Sequence, residues 1–272
     1  MLIVVQVANA WSRNRFFQLV SSRQVFVRTI RLLTWNVHRC LGIDGRIAPE
    51  RIAEVIALAA PDIVALQEVD VMRKRTGRVD QAEEIARLLG MDSHFHANVR
   101  VMEEQYGDAI LTVLPSRLQH SGRLPGRLGL RTIEPRGALW ARIDLDGLHL
   151  NVINTHLSLI ARERRRQTDF LFGPEWIGHA ECSGPLALVG DLNLVPRSNV
   201  YRRLSRRMQD VQRAPGVGRP KPTFPAGFPV LRIDHVFTSG EIGVRRVEVI
   251  RNHVTRVASD HLPLVVDLAI GI

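Results

Sequence analysis

Apolar and polar positions along the chain change period from block to block. Leu32-Leu33-Thr34-Trp35-Asn36 is an apolar run closing on an amide, the pattern of a buried strand. Within residues 48–60, Ile52, Val55, Ile56 and Ala59 recur at helical spacing, and Pro61 ends the segment. Ile63-Val64-Ala65-Leu66 predicts the next strand. Residues 80–89 return to the helical period and stop at Gly90, a C-cap. Residues 109–113 predict a strand. Residues 138–145 and 148–155 flank Asp146-Gly147, a hairpin signal. Residues 161–180 predict a basic helix that Gly173-Pro174 should break. A strand over Leu186–Val189, a short helix over 198–207 and a Pro- and Gly-rich loop over 214–229 follow. Strands over 233–238, 244–250 and 264–268 close the chain. Strand–helix units mixed with hairpins predict α/β layers around mixed sheets. No internal repeat or linker divides the sequence.

The polar residues are placed systematically. Asn36, Glu68, His156, Asp191 with Asn193, Asp234 with His235, and Asp260 with His261 each abut a different apolar strand. A carboxylate that closes a run such as IVALQE is costly to bury unless it is paired or metal-bound. One such residue reads as a turn cap, a surface ion pair or a core histidine. Several fit one site at one sheet edge. Oxygen donors of this kind suit a hard divalent cation, and histidines beside carboxylates suit proton transfer and anion stabilisation. The spacings of zinc sites, serine hydrolases, Walker loops and dinucleotide folds do not occur.

Composition adds less. The 272 residues carry 37 Lys+Arg against 27 Asp+Glu, a formal charge of +10, and only Lys74 and Lys221 are lysines. A basic surface concentrates anionic partners, although the arginine bias itself reads as genome composition. Apolar stretches are too short for a membrane span. Two cysteines, Cys40 and Cys182, leave room for at most one bridge, which argues against a disulfide scaffold. Residues 1–30 read as an N-terminal extension without assigned function. The apolar run ending Ala8-Asn9-Ala10 resembles a cleavage site, but it is short and lacks the preceding positive charge of a signal peptide; an amphipathic membrane-surface segment or an over-called start codon are the alternatives to the extension. Residues 31–272 form the domain. A cytoplasmic location is expected, with peripheral membrane association as the alternative.

Seven short motifs, in order, carry a resemblance: Thr34-Trp35-Asn36, Gln67-Glu68-Val69, Tyr106-Gly107-Asp108-Ala109, Asn154-Thr155-His156, Gly190-Asp191-Leu192-Asn193, Ile233-Asp234-His235 and Ser259-Asp260-His261. Each alone is weak. The ordered set resembles the endonuclease/exonuclease/phosphatase superfamily over roughly residues 31–270, and within it an uncharacterised bacterial subgroup. The resemblance implies a DNase I-like, four-layer α/β/β/α sandwich with two mixed, mainly antiparallel sheets, and Mg²⁺- or Mn²⁺-dependent hydrolysis of phosphate esters. It implies Glu68 as the main metal ligand, Asn36 as a residue that binds or orients the metal, and Asp260 near it. Asp191 would orient or deprotonate the attacking water. Asn193 would hold a phosphate oxygen. His261, fixed by Asp234, would contact the phosphate, and His156 would stabilise the transition state or protonate the leaving group. Arg136, Asp108, His38 and His235 are further substrate-binding candidates. His38 stands where abasic-site endonucleases carry an acidic residue, and Asp108 where many relatives have Asn, which argues against a repair nuclease.

The substrate classes left open are nucleic acid, phospholipid head groups and small phosphate esters. Arginine runs at 162–166 and 202–207 flanking the site would favour a polyanion. Phe224 and Phe228, beside Asp234 in sequence, either stack on a base, touch an acyl chain, or simply pack a long loop. No obligate protein partner is implied, and a non-catalytic binder is disfavoured by the intact motif set.

Overall fold

A computed structural model describes residues 27–126 and 134–271. The expectations about residues 1–26 lie outside the described residues. Two six-stranded sheets form the body. The first runs β11-β12-β1-β2-β4-β3 and the second β5-β6-β7-β8-β10-β9. Their members are β1 (Val27–Asn36), β2 (Ile63–Val71), β3 (Asp92–Val101), β4 (Glu104–Thr112), β5 (Ser116–Arg123), β6 (Gly137–Asp144), β7 (His149–Thr155), β8 (Leu186–Asp191), β9 (Gln209–Asp210), β10 (Asp234–Thr238), β11 (Gly243–Val249) and β12 (Leu264–Gly271).

Each sheet contains one parallel pair, β1 with β2 and β7 with β8, and is otherwise antiparallel. A parallel pair needs a crossover. Helix α1 (Pro49–Ala59) supplies it in the first sheet and α3 (Ala161–Leu171) in the second. Helix α2 (Gln81–Leu89) starts on Asp80, whose carboxylate accepts from the Glu83 N–H, and ends at Gly90 with φ +65°. Helix α4 (Asn199–Leu204) starts on the Ser198 hydroxyl. A single turn, α5 (Thr255–Ala258), precedes β12.

Alternate strand residues bury on opposite faces. Leu32, Ile63, Ala65, Ala141, Val152 and Val189 fill the space between the sheets. Leu33, Trp35, Val64 and Leu66 meet Ile52, Ile56 and Ile85 of α1 and α2. Trp140, Ile153, Leu188 and Phe237 meet Leu171, Trp176 and Tyr201 on the other side. The layers are α/β/β/α, as the motif resemblance implies. At ~25 cal/mol per Å² of apolar surface, burial on both faces of both sheets is the main stabilising term.

Two findings differ from the sequence reading and two sharpen it. Strand β1 starts at Val27 and pairs with β12 from there, so the sheet takes in residues that the extension was expected to hold. The helix after residue 161 ends at Leu171, before Gly173-Pro174. Strands β3 and β5 had no apolar signal because both are half-exposed edge strands. Cys40 and Cys182 are buried, free and in different helix–sheet layers, which rules out a bridge between them.

Candidate active site

The carboxyl ends of the two parallel pairs point to the same end of the sandwich. Asn36 closes β1, Glu68 sits near the end of β2, His156 follows β7 and Asp191 closes β8. The side chains of these four residues meet. The Asn36 amide donates to Glu68 Oε1 at 2.9 Å and to Asp191 Oδ2 at 3.2 Å, while its oxygen accepts from the His38 N–H at 3.0 Å. Asn36 therefore ties two carboxylates together.

Local backbone geometry aims the acids. The β2–β4 register slips between Leu66 and Val69, a bulge in which Glu68 adopts φ +62°. An extra residue at a bulge re-aims the side chain, and here it swings Glu68 out of the ladder. Gly190 takes φ +131° just before Asp191, and a Cβ there would lie 2.0 Å from the Thr155 carbonyl oxygen. Asn193 takes φ +50°, its N–H bonding Asp191 Oδ1 at 3.0 Å and its amide donating to the Leu157 carbonyl at 2.9 Å.

His261 lies between two acids. Its Nδ1 is 2.9 Å from Asp234 Oδ2 and its Nε2 is 3.7 Å from Asp191 Oδ2. Burial opposes a charge on this ring, but Asp234, through its charge and hydrogen bond, and then Asp191 outweigh it and raise the imidazole to about 10. Asp191 is pushed up by burial first and by Asp234 second. Asp234 also accepts from the Thr223 hydroxyl. Arg232, two residues before Asp234 in sequence, holds Asp210 and Tyr201 instead.

His156 differs from His261. Burial, then Arg136 and His261, hold it well below the usual imidazole range, so the ring is neutral. Arg136 donates to Nδ1 at 3.1 Å, which assigns the proton to Nε2, 3.3 Å from Asp191 Oδ2. A neutral donor suits stabilisation of developing charge better than proton delivery. Removing the cation in Arg136→Ala is expected to raise the His156 pKa, measured by NMR titration of the ring. An unmoved His156 resonance counts against this pairing.

Asp260 is more open than the other acids, 3.9 Å from His38 Nδ1. Glu68, Asp191 and Asp260 have no Arg or Lys within ion-pair distance among the described residues. Carboxylates without an Arg or Lys partner, such as Glu68 and Asp260, are the environment a hard divalent cation fits. Glu68 and Asp260 would hold it. The tighter Asp191, Asp234 and His261 cluster fits a cation less well, because an ion there would displace the His261–Asp234 hydrogen bond.

Two expected substrate contacts are corrected. Asp108 is fully buried behind Glu68, with Asn98 donating to it at 2.8 Å, and burial raises its carboxyl to about 7. His235 is fully buried against Tyr201 and Phe237 and bonds the Leu194 carbonyl at 2.7 Å. Burial and Arg232 lower it to about 4. Its proton is bound in the unfolded chain below about pH 6.5 and excluded from the folded one until about 4. Stability is therefore complete above pH 6.5 and lost as pH falls through that window, by up to ~3 kcal/mol from this residue. Urea unfolding at pH 7 and pH 4.5 should show the loss, and His235→Phe should flatten it.

Several residues that hold the site escaped sequence reasoning. Gln67 donates across the sheets to Asn154 Oδ1 at 2.8 Å, and Asn154 donates to the carbonyls of Leu66 and Ala109. Trp35 Nε1 donates to the His261 carbonyl at 2.9 Å, and Ser259 Oγ to that of Asn36 at 2.8 Å. All stand within the quoted motifs, so their position beside the acids was the available signal. The Phe224 ring lies 4.7 Å from that of His261, whereas Phe228 is exposed. The arginine runs do not flank the opening as pairs. Arg164 bonds the Ser158 carbonyl and feels Asp191, but Arg165 and Arg203 pair with Asp169 and Arg207 stacks on Phe172.

Comparison with known proteins agrees with this fold. The model of the Endonuclease/Exonuclease/phosphatase family matches residues 33–261. The uncharacterised protein YbhP of Escherichia coli is 26% identical over 249 residues, covering 87% of this chain and 94% of its own. An endonuclease/exonuclease/phosphatase family protein from Bacteroides thetaiotaomicron superposes with a TM-score of 0.73 at 19% identity, covering 91% of this chain and 100% of its own. A mannosyl-6-phosphatase of the same organism superposes at 0.71 and 20% identity, over 88% and 99% of the two chains.

Proposed function

Because the chain belongs to the endonuclease/exonuclease/phosphatase family, whose members act on phosphate esters, we propose that it is a divalent-metal-dependent phosphodiesterase. The observation that carries the reading is the Asn36 bridge. One amide holds Glu68 and Asp191 in a single cluster that has no Arg or Lys partner among the described residues, with a charged His261 against Asp191.

In-line attack on a phosphodiester builds negative charge on the non-bridging oxygens. A bound Mg²⁺ or Mn²⁺, held by Glu68 and Asp260, would supply Lewis-acid stabilisation of that charge. Asp191 Oδ2 accepts the proton of the attacking water. The His261 ring, kept charged and oriented by Asp234, faces the phosphate. His156 donates from Nε2 without carrying a charge. The Asn193 amide lies within 3.2 Å of His156 Nε2 and contributes a second neutral donor. Arg136, locked between Glu134 and His156, fixes the imidazole and presents a cation to the same oxygens.

Hydrolysis of bis-p-nitrophenyl phosphate tests the reading. Activity should require Mg²⁺ or Mn²⁺, vanish with EDTA, return when either ion is restored, and be lost in His261→Ala. Turnover that survives chelation, or that matches wild type in His261→Ala, would overturn it.

A further inference from the structure

Exposed apolar side chains are unevenly spread over the molecule. Among the described residues, seventeen large apolar side chains are exposed. Eleven of them sit outside the strands at the end where Asn36, Glu68, His156 and Asp191 converge, and Val101 closes β3 beside them. Most prominent are Met102 at the β3–β4 tip, 92% exposed, Phe228, 75% exposed, and Leu159, 74% exposed. Scattered exposed hydrophobes need no explanation, but concentration around one opening marks an interaction surface.

The loops are built to present them. Phe224 and Leu231 pair across a tight hairpin, with backbone bonds of 2.8 to 3.0 Å, and Phe228 and Val230 project from its tip. The Ala226 N–H bonds the Asp260 carbonyl at 2.7 Å, so the hairpin is fixed directly to the acid end. Across the opening, Leu159 follows His156 by three residues, and the Leu157 N–H bonds the Asp191 carbonyl at 2.9 Å. The apolar tips are thus rigidly tied to the residues of the site on both sides.

Charge on the same loops is positive. Arg39, Lys74, Arg78 and Arg197 have no ion pair with a carboxylate among the described residues. Of the acids on these loops, Asp44 pairs with Arg51, Glu104 with Arg73 and Glu134 with Arg136, while Glu103 beside Met102 and Asp260 have no Arg or Lys partner among the described residues. Apolar tips interleaved with cations match the layered chemistry of an anionic bilayer, where acyl chains lie beneath a negative surface. A nucleic acid would use a continuous cationic track, and within the two arginine runs Arg165 and Arg203 are instead paired with Asp169 and Arg207 stacks on Phe172.

We infer that this end of the molecule docks on an anionic phospholipid bilayer, so that the cleft opens onto lipid head-group phosphate esters. The docking itself is independent of catalysis; the choice of substrate rests on the phosphodiesterase reading. The full chain should co-sediment with vesicles of phosphatidylcholine containing phosphatidylglycerol and much less with phosphatidylcholine alone. Leu159→Asp/Phe228→Asp removes two tips and adds charge that the surface repels. It should lower the vesicle partition coefficient at least about tenfold while hydrolysing soluble bis-p-nitrophenyl phosphate at the wild-type rate. That soluble rate reports on the phosphodiesterase reading separately. Vesicle binding unchanged in the double variant, or a wild-type chain that ignores these vesicles yet retains plasmid DNA on a filter, overturns the docking surface.

Discussion

Asp191→Asn is expected to lower kcat for bis-p-nitrophenyl phosphate about 1,000-fold, within the range general-base removal commonly costs. Asp191 has four distinct partners. Asn36 and the Asn193 N–H fix its two oxygens, and His156 Nε2 and His261 Nε2 approach Oδ2. Burial and Asp234 push it up, and His261 with the two hydrogen bonds acts in the opposite direction. The group is thereby poised nearer to neutrality than a free carboxylate, which suits a proton acceptor working at neutral pH. The amide keeps the shape and the Asn193 contact but has no basic oxygen to take a proton. Its NH₂ cannot accept from Asn36, so a loss of roughly 1–3 kcal/mol of stability accompanies the substitution. Circular dichroism should still report a folded chain. A rate within tenfold of wild type would remove Asp191 from the chemistry and leave it as a tether for Asn36.

The same substitution made together with His261→Ala should cost far less than the product of the two single effects. Residues acting on one transition state are not additive, and these two side chains are 3.7 Å apart. Additive losses would assign them to separate steps.

Much of this was legible in the chain, for a physical reason. Strands buried on both faces, such as Leu32–Trp35 and Ile63–Leu66, are continuous apolar runs, so the acid or amide that closes each is conspicuous. Helices α1 and α2 announce themselves by period and by Asp80 and Gly90. What stayed hidden lacks such a contrast. Strands β3 and β5 are edges with half-exposed, polar faces. The fates of Asp108 and His235 depended on depth: His235 follows Asp234, yet alternation along a strand sends one side chain to the cleft and the next behind it, and Asp108 is buried in β4. Glu68 faces the site only because a bulge breaks that alternation. Pairing partners were equally invisible, since whether Arg232 reaches Asp234 or Asp210 depends on which strands and turns lie beside β10.

Gly190→Ala should be the most damaging single-methyl change in the chain, unfolding it by at least about 4 kcal/mol relative to wild type, at the far end of what point substitutions do. Two costs combine. At φ +131° an L side chain is strained, worth roughly 1–3 kcal/mol. The new methyl would also stand 2.0 Å from the Thr155 carbonyl oxygen and 3.0 Å from its carbon. That obstacle is the backbone at the end of β7, next to its parallel partner β8, and it has no rotamer to escape into. The strands must part where His156 and Asp191 leave them, so the Asp191–His156 contact and the Leu157–Asp191 backbone bond open together. Thermal unfolding should fall by roughly 10 °C, and phosphodiester hydrolysis should disappear in whatever fraction remains folded. Gly240→Ala is the control, since a methyl there meets nothing within 4 Å and the backbone is not left-handed. A Gly190→Ala chain as stable as that control would mean β7 and β8 can separate without cost, and that the close approach of the two strands does not hold the acid in place.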